Sequence, residues 1–103
     1  MQFVNLTPHR INEVTTGQSF EPSGIIARVK SSTTKVGEHL GCPIYTSEFG
    51  EIEGLPEAQS NVMYIVSALA LNAIDSSRTD VVAPGNLQRD QSGNPIGCVG
   101  FRR

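Results

Sequence analysis

The sequence predicts an α+β domain, with a mainly antiparallel sheet of short strands and one principal helix packed on it. The chain of 103 residues has the size of a single domain, residues 1–103. Ten glycines and six prolines divide it into short segments, as expected of many turns. Its longest apolar run, residues 61–74, combines a short strand-like stretch with a helix-like one.

Most of the chain is predicted to form short strands, because β-branched and aromatic residues alternate with polar ones. The predicted strands cover residues 2–6, 10–14, 19–21, 25–30, 43–52, 63–66 and 80–83. Gly50 indicates a bulge in the fifth of these strands. Two further segments, 87–89 and 96–101, flank the turn-forming residues 90–94 and predict a terminal hairpin.

The principal helix is predicted over residues 68–76, which are mostly alanine, leucine and other helix-compatible residues. Ser67 precedes it and is a plausible N-cap. By contrast, the Ser/Thr-rich residues 31–41 have only a weak apolar pattern. We expect that segment to be a mobile loop or a variable insertion, and we place no function there.

Composition and net charge argue against several classes of function. The net charge of −2 argues against a protein that neutralises the phosphates of a nucleic-acid polymer. No apolar run is long enough for a membrane span, and the first residues lack a signal-peptide pattern, so a cytoplasmic protein without membrane contact is expected. A core of this size is thin, which favours a homo-oligomer. Cys42 and Cys98 are expected to be free thiols, with a disulfide as the alternative.

The first candidate site is the segment around Pro8, which interrupts a predicted strand. Thr7 and His9 flank this proline and could present hydrogen-bonding groups to a polar ligand. Alternatively, Asn5 and Thr7 satisfy backbone groups at a bulge, while His9 is solvated.

The second candidate is Ser67, at the junction between a predicted strand and a helix. The first N–H groups of a helix are unpaired and attract phosphate or carboxylate. A serine that only caps the helix is the alternative.

Three arginines form the third candidate. Arg28, Arg78 and Arg89 lie in segments expected to pack near the sheet, and guanidinium groups match the geometry of phosphate oxygens. Arg78 and Arg89 could instead form ordinary surface pairs with Asp80 and Asp90. Whether the three arginines converge depends on the fold.

The sequence contains no recognisable catalytic or metal-binding arrangement. His9 and His39 are the only histidines, and neither has a neighbour at the spacing of a metal ligand. We therefore assign no catalytic residue, metal ligand or cofactor, and whether the protein is an enzyme stays open, with a non-catalytic role preferred.

The order of short motifs resembles that of a family of small proteins from bacteriophages and from prophage genes of bacteria. The matching motifs cover nearly the whole chain: NLTPH from Asn5, PSG from Pro22, ARV from Ala27, GLP from Gly54, YIVSAL from Tyr64, PG from Pro84 and RD from Arg89. The resemblance implies phage origin and action in the cytoplasm of an infected bacterium. It implies no reaction.

Phage origin, small size and the polar motifs together suggest a sponge, meaning a protein that sequesters a nucleotide immune signal of the host. The signal would be a cyclic oligonucleotide or an ADP-ribose derivative, held with affinity but without turnover. Its predicted contacts are Thr7, His9, Arg28, Ser67, Arg78 and Arg89. The alternatives are an interaction module that inhibits a host protein and an enzyme that degrades such a nucleotide.

Overall fold

The computed structural model describes residues 2–103, in which β-strands predominate and the helix is short. The elements are β1 (Gln2–Asn5), β2 (Ile11–Glu13), β3 (Gln18–Phe20), β4 (Arg28–His39), β5 (Cys42–Glu53), β6 (Val62–Ile65), α1 (Ala68–Ala73), β7 (Val81–Arg89) and β8 (Pro95–Arg102). Six strands form one sheet in the order β1-β6-β7-β8-β2-β3, and β4 and β5 form a separate hairpin.

The six-stranded sheet is mixed, which corrects the prediction of a mainly antiparallel sheet. The neighbours β1–β6, β6–β7 and β2–β8 are parallel, whereas β7–β8 and β2–β3 are antiparallel. Strand β6, helix α1 and strand β7 form a strand–helix–strand crossover, the connection that joins adjacent parallel strands. The long apolar run of the sequence therefore builds the first two elements of this crossover.

Apolar side chains cover both faces of the sheet. On the helix side, Tyr64, Val66 and Val81 pack with Leu6, Ala27 and Ala70. On the other side, Ile65 and Val82 pack with Ile11 and Cys98, and a cluster of three phenylalanines extends this layer. Successive residues of β6 and β7 alternate between the two clusters, as the pleat of a strand requires.

Cys42 and Cys98 are free thiols.

The hairpin arm, which we define as β4 and β5, corrects the prediction for residues 31–41. Most of this segment belongs to β4 and pairs with β5 from Arg28↔Glu53 to His39↔Cys42. The two-residue turn at the tip, Leu40 and Gly41, has positive φ at both positions, as a type I′ hairpin requires. The ladder shifts register opposite Gly50, where the sequence predicts a bulge.

Helix α1 begins where the sequence predicts and ends earlier. Ser67 is the N-cap, and its side chain accepts a hydrogen bond from the Ala70 N–H. The helix stops at Ala73 because Ile74 adopts an extended conformation, with ψ at 139°. Within residues 2–103, no helix is long and apolar enough to cross a membrane.

Candidate functional site

Three distant segments meet at one point on the helix side of the sheet. The Leu6 N–H donates to the Ile65 carbonyl over 2.8 Å, which ties the end of β1 to the end of β6. The Ala27 N–H donates to the Leu6 carbonyl over 3.0 Å, which places the start of β4 beside the same point. These backbone hydrogen bonds hold Leu6, Ala27 and Ile65 together independently of any side-chain contact.

A surface cavity of about 320 Å³ lies at this junction. We call it the Arg28 cavity; its lining residues are Leu6, Thr7, Pro8, Ile26, Ala27, Arg28, Val29, Ser67 and Leu69. Three of the six residues predicted from the sequence, namely Thr7, Arg28 and Ser67, thus share one cavity. Apolar side chains form most of the remaining wall.

Arg28 is the one charged residue among those lining this cavity. The four ion pairs among residues 2–103 involve other cations, so the guanidinium of Arg28 has no carboxylate partner there. Glu53 lies opposite Arg28 in the ladder, but its carboxylate pairs with Lys30 at 3.3 Å. Arg28 therefore offers an exposed guanidinium that forms no ion pair among residues 2–103.

Ser67 and Thr7 contribute differently to the cavity. The Ser67 hydroxyl accepts a hydrogen bond from Ala70 at 3.2 Å, and its own O–H remains available to donate. The Thr7 hydroxyl lies within 2.7 Å of the Asn5 Oδ1 atom and 3.0 Å of the His9 carbonyl oxygen, which are both acceptors. Thr7 therefore uses its single proton inside the protein, and it shapes the cavity wall without a free donor.

The segment around Pro8 owes its shape to Asn5, which is buried. The Asn5 amide donates to the carbonyls of His9 and Phe20 at 2.7 and 3.0 Å, and its Oδ1 atom accepts from the Thr7 N–H at 2.9 Å. The His9 side chain is exposed and does not line the Arg28 cavity. The bulge alternative thus describes Asn5 and Thr7 better than direct ligand contact does.

Arg78 lies at a different place and is already paired. Its guanidinium forms a two-point contact with Asp80, with both N–O distances at 2.9 Å, and donates to the Pro56 carbonyl at 3.1 Å. The hydrogen bond to Asp80 raises the pKa of Arg78 and lowers the pKa of Asp80. Arg78 lines a second cavity together with Arg102 and Arg103, which the sequence analysis did not select.

Arg89 lies at the far end of β7, where it donates to the Gly93 carbonyl at 2.8 Å. Arg78 precedes the first residue of this nine-residue strand and Arg89 is its last residue. At about 3.3 Å per residue, the eight steps from Val81 to Arg89 extend for about 26 Å and separate these two arginines. Within one chain, the three arginines therefore do not meet around one phosphate.

Glu13 is a buried carboxylate that the sequence analysis also did not select. It accepts hydrogen bonds from the backbone N–H groups and hydroxyls of Thr15 and Thr16, and from the Gly100 N–H at 2.8 Å. These bonds, with that from the Thr15 hydroxyl foremost, hold the pKa of Glu13 far below its ordinary value. Because all its partners are internal, Glu13 joins β2 to β8. In the sequence, the two threonines that follow Glu13 at short spacing are the pattern that could have identified this group.

Residues 2–103 contain no group of three side chains suited to hold a metal ion. Comparison with protein-family models, curated proteins and solved structures finds no match to this chain.

Proposed function

We propose that the protein binds a phosphate-containing small molecule in the Arg28 cavity. The observation that carries this proposal is the charge of the lining, which includes one unpaired guanidinium and no carboxylate. A guanidinium can donate two parallel hydrogen bonds to phosphate oxygens, and the Ser67 hydroxyl supplies a further donor. The predicted contacts at His9, Arg78 and Arg89 are not part of this proposal.

The apolar part of the wall supports a ligand with an organic ring. Pro8, Ile26 and Leu69 line the cavity together with the polar groups. Small-molecule sites combine mostly apolar walls with a few well-placed polar groups, and they typically measure about 300–1,000 Å³. A volume of about 320 Å³ falls at the lower end of this range and suits part of a nucleotide.

Together with the phage resemblance, this chemistry supports a specific role. The protein would sequester a nucleotide immune signal of an infected bacterium, either a cyclic oligonucleotide or an ADP-ribose derivative, in the cytoplasm. A sponge needs affinity and slow release, and both arise from buried apolar contact with a charge-assisted phosphate contact. Loss of the free signal would then silence the host pathway that it activates.

Isothermal titration against cyclic dinucleotides, cyclic trinucleotides and cyclic ADP-ribose products tests this proposal. We expect one member to bind more tightly than about 10 μM, a binding free energy of about −7 kcal/mol. Arg28→Ala should weaken that binding about 10- to 100-fold, since a hydrogen bond to a charged group contributes about 1.5–3 kcal/mol. Arg102→Ala removes an exposed arginine outside the cavity and should leave the affinity within about twofold.

Two results would contradict the proposal. One is the absence of binding across the whole panel at about 10 μM. The other is binding that Arg28→Ala and Arg102→Ala weaken equally. Chromatography of the ligand after incubation separates a sponge, which returns it intact, from the nucleotide-degrading enzyme.

A further inference from the structure

The hairpin arm exposes large apolar side chains along its length. Tyr45 is 57% exposed and Phe49 is 56% exposed, and Leu69 on the neighbouring helix is 53% exposed. Every residue of the arm from Lys30 to Glu51 is exposed on both strands. Such a concentration of exposed aromatic and aliphatic groups marks a surface that another molecule covers.

The ladder register places the two aromatic residues on one face of the arm. Tyr45 pairs with Lys35 and Phe49 pairs with Ser31, and alternation along each strand puts Thr33 and Ser47 on the same face. Val29 and Ile52, which continue this face at the base of the arm, pack against the core. The face is therefore an uncovered extension of the helix-side core.

At the base of this face, a cavity of about 390 Å³ separates the arm from helix α1. Its lining residues are Val29, Phe49, Gly50, Leu69, Asn72 and Ala73. No charged residue is among them. We use the name arm face for this cavity together with the surface formed by Tyr45, Phe49 and the small residues between them.

An uncovered arm is costly. An isolated two-stranded hairpin is at best marginally stable in water, and a long exposed strand edge favours uncontrolled pairing with other chains. Twelve residues in each strand extend for about 40 Å. The arm therefore needs a covering molecule as soon as the chain folds, and the molecule present at every site of synthesis is another copy of the chain.

The size and chemistry of the arm face fit a second copy. A two-stranded ribbon about 40 Å long and about 12–15 Å wide presents about 500–600 Å² per copy, close to the lower limit for a specific interface. Lys35 and Glu38 are the charged residues at paired positions of this face, and they form an ion pair with each other. In an antiparallel two-fold arrangement centred on Thr33 and Ser47, Tyr45 of each copy lies against Phe49 of the other, so the aromatic residues meet near the centre, as interface cores prefer. Lys35 is level with Tyr45, and its ion pair with Glu38 lies on the side away from the centre.

We propose that two copies of the chain pack through their arm faces into a symmetric dimer. Val29 and Leu69 line both the arm-face cavity and the Arg28 cavity. The dimer would therefore affect ligand binding, and this consequence rests on the proposed function. A copy packed on the arm face therefore lies at the rim of the Arg28 cavity and shields a ligand there from solvent.

Size-exclusion chromatography with light scattering tests the dimer over about 1–100 μM protein. The wild-type protein should elute at twice the chain mass of 11.1 kDa. The double variant Tyr45→Thr, Phe49→Thr should elute as a monomer, and threonine is chosen because it keeps a high β-propensity. The matched control Leu87→Thr, Ile96→Thr changes two residues of similar exposure on the β7–β8 hairpin and should remain dimeric.

A wild-type monomer at about 100 μM would overturn the dimer, and so would an arm-face variant that stays dimeric. If the arm-face variant does not fold, hydrogen exchange of the wild-type protein decides instead. Amides of residues 31–35 and 45–49 should exchange more slowly as the protein concentration rises, and an unchanged rate would overturn the proposal. A wild-type monomer that still binds a nucleotide through Arg28 would remove the dimer and leave the proposed function intact.

Discussion

At the scale of single residues, Glu13 is the clearest case of a charge that stabilises the fold. Its carboxylate accepts five hydrogen bonds, including one that reaches from β2 to Gly100 in β8. Its pKa lies far below that of a glutamate in the unfolded chain. The stabilisation is therefore fully present above the unfolded pKa, about 4.3, and declines as the pH falls toward the folded pKa.

Glu13→Gln should lower the melting temperature at pH 7 by about 5–10 °C, because the amide cannot accept from so many donors. The difference between wild-type and variant should narrow below about pH 4, where the wild-type protein loses this stabilisation and the variant does not. Thermal unfolding followed by circular dichroism at several pH values measures it. The exposed Glu48→Gln on the arm serves as the control, and a gap independent of pH would contradict the role of Glu13.

The residues around Pro8 show what a local sequence pattern can and cannot predict about side-chain contacts. The polar segment predicts both a ligand contact and a satisfied bulge, and the structure supports the bulge because Asn5 accepts from and donates to its neighbours. Asn5 is buried through the contact of β1 with β6 and the approach of Phe20. The hydrogen bonds of Asn5 to Thr7 and His9 are local, but its burial depends on β6 and Phe20, which are distant in sequence. Local patterns alone therefore could not decide between the two interpretations.

At the scale of elements, sequence patterns predict where strands and helix caps lie more reliably than they predict which strands pair with each other. Ser67 caps the helix and the ladder has a bulge at Gly50, as the sequence predicts. The predicted order of strand, helix and strand around α1 is typical of parallel pairing. The prediction of a mainly antiparallel sheet did not take this order into account. Residues 31–39 form a strand without apolar alternation because both faces of the arm are exposed, so the period that identifies a half-buried strand is missing.

Two glycines with nearly the same positive φ, one of them at the base of the arm, allow a matched test. Gly54 has φ of 83°, and a Cβ atom there would lie 2.2 Å from the Ile26 carbonyl oxygen. Gly93 has φ of 84°, and a Cβ atom there would meet nothing within 4 Å. The close approach at Gly54 fixes the end of β5 against the chain just before β4.

Alanine at Gly93 should cost about 1 kcal/mol, the penalty of a side chain at positive φ. Alanine at Gly54 should cost about 3 kcal/mol, because the clash with the Ile26 carbonyl adds to that penalty. Urea denaturation of both variants measures the difference. Equal losses of unfolding free energy would show that the base of the arm yields to the extra methyl group and does not depend on this close approach.

At the scale of the whole molecule, three chain segments converge on the Arg28 cavity through backbone hydrogen bonds. Of the six residues selected from the sequence, Thr7, Arg28 and Ser67 line this cavity, whereas His9, Arg78 and Arg89 lie outside it. The separation of Arg78 and Arg89 follows from β7, which is longer than predicted: Arg78 lies three residues before its start, and Arg89 is its last residue. The length of a strand and the partner of an arginine are set by tertiary pairing, which short motifs do not encode.

Mass spectrometry of small molecules released by the purified protein tests the central claim most directly. Wild-type, Arg28→Ala and Arg102→Ala proteins would be expressed in bacteria that make immune nucleotides, purified and denatured. We predict that the wild-type protein and Arg102→Ala release the same intact phosphate-containing nucleotide, and that Arg28→Ala releases at least about tenfold less. Release of no nucleotide from the wild-type protein, or of equal amounts from wild-type and Arg28→Ala, would contradict the proposed site.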